Sequence, residues 1–530
     1  MIASHALPPR ATALLFGLAT ALLLSRLGTT PLVGPDEPRY ARVAVEMHRS
    51  ANKITPTLQG RPWMEKPVLY YWLAGASFSL LGETEAAARL PSVAAGLLLV
   101  GVTVLLGARL YGTVAGLHAG FILATAALPF VYGKAATMDM LLASTVSAAV
   151  GLLALGLLGN AGSLAIPAAY VFMGLATLAK GPIGFLLPGL VVAGYAIATR
   201  DARMITRVLS PIGIALFLAV AAPWYVLVYR EQGQAFVDEF FLNHNLQRFT
   251  STIHHHPGPP WYYVPVLVAG FFPWSGFLLP ALGGLAPRRS RPDLFVLLWL
   301  LLPLLFFSTA GSKLPGYILP CLPPLALLMG RAAARLVENE EPGRFGSRSV
   351  AVFGLLLGAV AATTPFLLWR MGERLWPSAL PFALWSLVVA FSFSRRVSSD
   401  RAGAVALLRV GAAGGLLLLA LAAPAILARR ESGRGLFTAT QGQEVLVWGA
   451  WRTAWMSGYF YNDANLRSVE SLDEVTAALG RGPALVLCGP SERRRLQRLS
   501  AFSALTLAEG PRENVLLRVQ KRETSFSELR

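Results

Sequence analysis

Two charged strings, Pro35-Asp36-Glu37-Pro38-Arg39-Tyr40 and Glu65-Lys66-Pro67, interrupt a chain that otherwise reads as one apolar run after another. Two carboxylates, a guanidinium and an ammonium beside hydrocarbon are costly unless they meet a charged ligand or one another. Further polar residues recur at the ends of the apolar runs: Asp139, Lys180, Asn243, Asn245, Arg248, His254, His255, His256, Lys313 and Tyr317. A carboxylate can act as general base toward a hydroxyl, and lysine or arginine can hold a phosphate as it leaves. Together these residue types outline a transferase at a membrane surface.

Each has a plainer reading. Asp36 is suited to capping the helix that follows it, or to an ion pair with Arg39 one turn on. Lys66 is suited to snorkelling toward lipid headgroups. Lys180-Gly-Pro and Lys313-Leu-Pro are more telling, since each lies in a very short turn between two apolar runs on the side that positive charge normally avoids. An anionic ligand accounts for both. His254, His255 and His256, with Glu65 from the other loop, are candidate ligands for a divalent metal such as zinc, against a solvated loop. Asp139 is either an N-cap or a partner for lysine or arginine.

The elements that must position these residues are mostly membrane spans. The chain has 530 residues, 55% of them hydrophobic and 14% charged, with a mean hydropathy of +0.55. That is more apolar surface than a soluble fold can bury. The net charge of +18 sits in arginine clusters between apolar runs, which points to membrane topology and away from nucleic acid. Cys321 lies in an apolar run and Cys488 in the polar tail, so neither a bridge between them nor a thiolate metal cluster is expected.

Apolar runs long enough to cross as helices fall near 11–28, 87–108, 113–132, 138–158, 163–179, 182–199, 207–229, 261–282, 293–309, 314–333, 349–369, 376–393 and 404–428. About 13 transmembrane helices are therefore expected, the first being an uncleaved span rather than a signal peptide. With the N-terminus inside, short inner turns hold Arg109; Arg200, Arg203 and Arg207; Arg288, Arg289 and Arg291; Arg331, Arg335, Arg344 and Arg348; and Arg395, Arg396 and Arg401, as the positive-inside tendency requires. Arg370, Arg374, Arg429, Arg430 and Arg434 run against it.

Loops 29–86 and 230–260 then lie outside. Within the first, 38–48 and 69–82 read as helices lying on the surface. Residues 1–434 are expected to form the membrane domain. Residues 435–530 are expected to form a small soluble α/β domain, with strands at 444–448, 483–488 and 514–519 and a helix opened by the Ser471-Leu-Asp-Glu474 capping box.

Taken in order, Asp36-Glu-Pro-Arg-Tyr-Ala, Glu65-Lys-Pro-Val-Leu-Tyr-Tyr-Trp, Ala88-Arg-Leu-Pro-Ser, Lys180-Gly-Pro-Ile-Gly, Pro223-Trp-Tyr, Asn243-His-Asn-Leu-Gln-Arg-Phe, Trp261-Tyr-Tyr, Phe272-Pro-Trp and Ser312-Lys-Leu-Pro-Gly-Tyr-Ile-Leu-Pro closely resemble the lipid A aminoarabinose transferases. That family lies within the protein O-mannosyltransferase-like superfamily of C-type (GT-C) membrane glycosyltransferases. The resemblance covers roughly residues 10 to 335. It implies a polytopic α-helical membrane fold, a polyprenyl-phosphate sugar donor and transfer to an extracytoplasmic acceptor such as lipid A or a related glycolipid. The expected place is the inner membrane, with the active site on its periplasmic face.

Carried over by position, the resemblance makes Asp36 the catalytic carboxylate. It sets Arg39, Tyr40, Lys66, Lys180, Arg248, Lys313 and Tyr317 around the lipid phosphate and its sugar. Glu37 and Asp139 join them as substrate-binding candidates, and Glu65 with the histidine loop matches a region able to hold a metal. No nucleotide cofactor is needed. The expected chemistry is a single displacement at the anomeric carbon, with inversion. Rival readings are transfer of another hexose to protein or polysaccharide, a lipid-binding scaffold, and a flippase. The flippase is disfavoured because the ionisable residues gather at the ends of spans and no matched broken helices occur.

Overall fold

The computed structural model describes residues 7–522, except 160–161, 248–256, 286–289, 339, 341–345, 398 and 441. Among the described residues, eight helices are long and apolar enough to cross a membrane: Glu85–Tyr111, Asp139–Leu157, Pro211–Gln232, Arg291–Thr309, Pro315–Val337, Val350–Arg370, Trp376–Arg396 and Arg401–Glu431. A bent pair, Pro260–Gly270 and Trp274–Gly283, makes a ninth if it counts as one span. The other four predicted spans are shorter helices, Pro9–Leu24, Thr113–Ala124, Ala165–Lys180 and Ile183–Thr199.

The difference has a local cause. An apolar run carries no mark of where its helix breaks. Residues 113–132 split at Thr125, whose hydroxyl donates back to the Phe121 carbonyl (2.6 Å) and accepts the Trp274 indole N–H (2.9 Å). Residues 261–282 bend by 115° around Pro273, which has no N–H to continue a helix.

The site is built at one end of this bundle. We label the helices there α1 (Pro9–Leu24), α2 (Asp36–Arg49), α3 (Leu69–Leu81), α4 (Glu85–Tyr111), α5 (Thr113–Ala124), α6 (Ala127–Tyr132), α7 (Asp139–Leu157), α8 (Ala165–Lys180) and α9 (Ile183–Thr199). Helix α2 carries Asp36 and Glu37 in its first turn and His48 and Arg49 in its last, the charge order that suits the helix dipole. Both surface helices of the sequence reading form. Helix α2, however, does not lie open on a surface: every side chain from Glu37 to Val45 is buried. It is wedged among α3, a short hairpin (Thr57–Leu58 with Arg61–Pro62) and the C-terminal segment.

That segment contains a five-stranded sheet in the order Leu466–Ser468, Val445–Trp448, Ala484–Cys488, Val515–Lys521, Phe502–Glu509. The first three strands are parallel and the last two antiparallel to their neighbours. Alternation along each strand feeds two cores. Leu446, Trp448, Val486 and Leu517 pack with Val475 and Leu479 on one face, while Val445, Leu485, Leu487 and Leu516 pack with Leu436 and Phe437 on the other. The Ser471 hydroxyl caps the helix Leu472–Leu479 by accepting the Glu474 N–H (3.2 Å).

The turn between the strands Val445–Trp448 and Leu466–Ser468 clasps α2. The Tyr461 hydroxyl accepts the Leu32 N–H (2.7 Å) and donates to Glu85 (3.1 Å). Asp463 pairs with Arg42 and with Arg49 (2.8 Å), and Gln59 donates to the Ala464 carbonyl (2.9 Å). Three of the arginines that ran against the topology rule are also neutralised: Arg429 and Arg430 flank Glu373 at 3.7 and 3.0 Å, and Arg434 meets Glu85 at 3.1 Å. Substituting Tyr461→Phe strands the Leu32 N–H and is expected to destabilise the protein by about 1–3 kcal/mol. A lowered Tm in detergent, with faster exchange at the Leu32 amide, checks this.

Candidate active site

Asp36 and Glu37 are neighbours with opposite roles. Successive helix residues point about 100° apart, so one carboxylate turns inward and the other outward. Glu37 Oε1 accepts from Arg89 Nε (2.9 Å) and the Ala136 N–H (2.7 Å). Its Oε2 accepts from Arg89 Nη2 (2.8 Å) and the Val33 N–H (2.8 Å). Both oxygens are thus occupied by the protein itself, and Glu37 acts as scaffolding. Asp36 makes no side-chain cap for its own helix. Its carboxylate is 47% exposed and pairs with Arg39 at 2.6 Å.

Arg39 continues the chain of charges. It reaches Glu65 at 3.4 Å and stacks between the Tyr40 and Trp63 rings, 5.2 and 5.1 Å away. Glu65 also accepts the Tyr40 hydroxyl (3.2 Å) and pairs with Lys66 (3.0 Å). Burial and the carboxylates of Glu65 and Asp36 push the Tyr40 hydroxyl well above its ordinary pKa, so it stays a neutral donor. Asp36, Arg39, Glu65 and Lys66 therefore form one continuous relay.

A second pair closes the site from the bundle. Lys180, the last residue of α8, binds Asp139, the first of α7, and lies 4.9 Å from the centre of the Tyr317 ring. The turn after Lys180 needs glycine. Gly181 has φ +91°, and a Cβ on Gly184 would sit 2.4 Å from the backbone of Ala176. This close hairpin aims Lys180 at the site.

Two cavities meet at Tyr317. The first, of about 430 Å³, is lined by Glu65, Lys66, Lys180, His244, Asn245 and Tyr317, with walls of Leu186, Phe241, Leu246, Phe306 and Phe307. The second, of about 440 Å³, is lined by Asp36, Glu37, Arg89, Lys134, Asp139 and Tyr317, with walls of Phe130, Val131, Leu419 and Leu427. Lys313 stands behind the first: it is buried, and its ammonium donates to the Ala310 carbonyl (2.7 Å). Asn243 faces away, donating to Glu239 (2.9 Å).

Arg248, His254, His255 and His256 lie outside the described residues. Among the described residues, no group of three histidine, cysteine, aspartate or glutamate side chains is gathered as a metal site, and Glu65 is engaged with Tyr40, Lys66 and Arg39.

Residues 65–227 match the family described as dolichyl-phosphate-mannose-protein mannosyltransferase. Similar curated proteins include two undecaprenyl phosphate-alpha-4-amino-4-deoxy-L-arabinose arabinosyl transferases. That of Aeromonas salmonicida is 33% identical over 346 residues, covering 63% of this chain and 62% of the relative. That of Pseudomonas aeruginosa strain UCBPP-PA14 is 34% identical over 353 residues, covering 66% and 63%. The chain thus matches a little under two thirds of the length of these relatives. In structure it is similar to ArnT from Cupriavidus metallidurans bound to undecaprenyl phosphate, with a TM-score of 0.76 at 25% identity over 96% of this chain and 97% of that one. The apo state of the same protein gives a TM-score of 0.80 at 24% identity over the same shares. The fold is that of the C-type membrane glycosyltransferases.

Within this GT-C fold, three basic residues line the cavities that the site prediction lacked. His244 sits between Asn243 and Asn245 in the sequence and pairs with Glu239 (2.9 Å); burial lowers its pKa, favouring the neutral ring. Its place between two recognised residues was the signal. Arg89 lay inside a quoted motif. Lys134 lies in the short outer turn between the expected spans 113–132 and 138–158, so the signal that singled out Lys180 and Lys313 also pointed to it.

Two outcomes test this scaffold. Arg89→Met leaves Glu37 buried without its partner and is expected to cost about 3–5 kcal/mol, read as loss of folded protein on heating. Glu46 anchors the hairpin beside the site through Arg42 (2.8 Å), the Thr57 hydroxyl (2.8 Å) and the N–H groups of Gln59 (2.8 Å) and Gly60 (3.1 Å). Burial pushes its carboxyl up, but these bonds outweigh burial and hold it below the ordinary 4.5. A lowered folded-state pKa contributes stability above pH 4.5 that is lost as pH falls through the folded value. Glu46→Gln should therefore lower Tm at pH 7, with the gap to wild type narrowing toward pH 4.

Proposed function

We propose that this chain transfers a sugar, aminoarabinose foremost, from a polyprenyl-phosphate donor to a phosphate of lipid A or a related glycolipid. The periplasmic face of the inner membrane is the place. One observation carries the reading: two amphipathic cavities, each with charged groups set against apolar walls, meet at Tyr317 beside the pairs Asp36–Arg39 and Asp139–Lys180. A soluble sugar nucleotide has no use for such walls, whereas a lipid-linked phosphate uses both ends. The relatives named as undecaprenyl-phosphate aminoarabinose transferases, and the undecaprenyl phosphate bound to the similar ArnT, support the donor class.

In this mechanism Lys66 and Lys180 hold the donor phosphate in the first cavity, with Lys313 contributing positive charge. The acceptor oxygen, approaching through the second cavity, forms a bond to the anomeric carbon. The bond from that carbon to the phosphate oxygen breaks, and its electron pair leaves on the polyprenyl phosphate. A hydroxyl acceptor gives its proton to Asp36. An acceptor phosphate is already ionised, and Asp36 then orients it through Arg39. Neutralising the leaving phosphate by fixed cations is the dominant stabilisation. The metal reading rests on Glu65 with His254, His255 and His256, and no step above depends on it.

Purified Asp36→Asn protein, given a radiolabelled polyprenyl-phosphate sugar and lipid A, is expected to lose transfer by about 10²-fold or more while still binding donor. Wild-type turnover would remove Asp36 from the chemistry. The mass added to the glycolipid distinguishes a pentosamine from a hexose.

A further inference from the structure

We propose that Lys134 is the acceptor's phosphate anchor: it holds the phosphate of an amphiphilic glycolipid in the second cavity. This rests on the transferase reading above. The argument starts from charge pairing. Among the described side chains that line the two cavities, Glu65 has Lys66, Asp139 has Lys180 and Glu37 has Arg89, while Asp36 has Arg39 from the relay. Lys134 is the cation left over, with no described carboxylate within ion-pair distance.

Its ammonium is steadied by neutral groups alone. It donates to the Ser25 carbonyl and to the Ser25 hydroxyl (2.9 Å) at the end of α1, and lies 4.7 Å from the centre of the Phe130 ring. An ammonium has three donors, so one remains for a ligand on the cavity side. Burial and the nearby Arg89 guanidinium hold its pKa down to about 8, a deficit that an incoming phosphate would reverse.

The occupant follows from the walls. Phe130 and Val131 of α6 face Leu419, Ala423 and Leu427 of Arg401–Glu431 across the cavity. Free phosphate gains nothing from that surface, whereas a phosphorylated lipid fills it with its chains. Asp36 lines the same cavity, so a phosphate on Lys134 lies in the compartment from which attack would come.

The test uses the full-length protein in nanodiscs and equilibrium binding of a fluorescent phosphorylated glycolipid, read without turnover. Lys134→Met should weaken binding about tenfold or more, and Lys134→Arg should keep it within about threefold, as expected when one cation replaces another. Undecaprenyl phosphate should bind all three proteins alike, which also reports that the variants fold. The dephosphorylated glycolipid should not distinguish them, and millimolar inorganic phosphate should fail to displace the probe. Unchanged glycolipid affinity in Lys134→Met, or an equal loss for undecaprenyl phosphate, overturns the anchor. Displacement by inorganic phosphate assigns the site to the free ion and overturns the lipid. A chain that shows the expected pattern but moves no sugar overturns the transferase reading and leaves the anchor standing.

Discussion

A buried guanidinium must find an acceptor for every N–H, and Arg89 finds them all within the protein. Its Nε and Nη2 grip Glu37, its Nη1 donates to the carbonyls of Leu27 and Thr30 (2.8 and 2.6 Å), and its Nη2 also reaches the carbonyl of Pro31 (2.8 Å). Glu37 returns the favour to the N–H groups of Val33 and Ala136. One ion pair thereby ties together the loop after α1, the start of α2, the body of α4 and the turn ahead of α7. Such a pair is a poor source of net stability, because desolvation offsets most of its attraction. What it supplies is register: with Glu37 locked inward, Asp36 can only face the cavity.

The same economy of charge shapes the remainder of the site. Beside hydrocarbon, an unpaired carboxylate or ammonium is expensive, so each carboxylate around the two cavities carries its own cation. The pairs are graded by exposure. Glu37–Arg89 is sealed, Asp139–Lys180 is partly open, and Asp36 is the most open of the three. Chemistry belongs where desolvation is incomplete and a substrate can compete for the partner. Tyr317 lies against Lys180 and on the wall of both cavities.

The C-terminal segment belongs to this design through its edge, not its sheet. Tyr461, Asp463 and Ala464 hold the loop before α2, the outer side of α2 and the hairpin at once. The carboxylate helix is thus fixed from the bundle side by Arg89 and from the opposite side by the tail. Side chains held between two rigid supports lose little entropy when a ligand binds.

Much of this was legible in the amino-acid order because the forces concerned are local. Long apolar runs mark lipid-facing helices, short continuous apolar runs mark the buried strands at 445–448 and 484–488, and charged strings in a hydrophobic chain mark the site. What the order could not disclose was anything decided by distant partners. Glu37 and Asp36 look equivalent in sequence, and only Arg89, 52 residues away from Glu37, buries one in an ion pair and leaves the other facing the cavity. The break at Thr125 depends on Trp274, 149 residues on, and the burial of α2 depends on a tail four hundred residues downstream. Composition and periodicity determined that this is a membrane-embedded helical protein with charges at one end. Which charges pair with one another was decided by tertiary packing, because pairing depends on distance in space and the chain encodes only distance along itself.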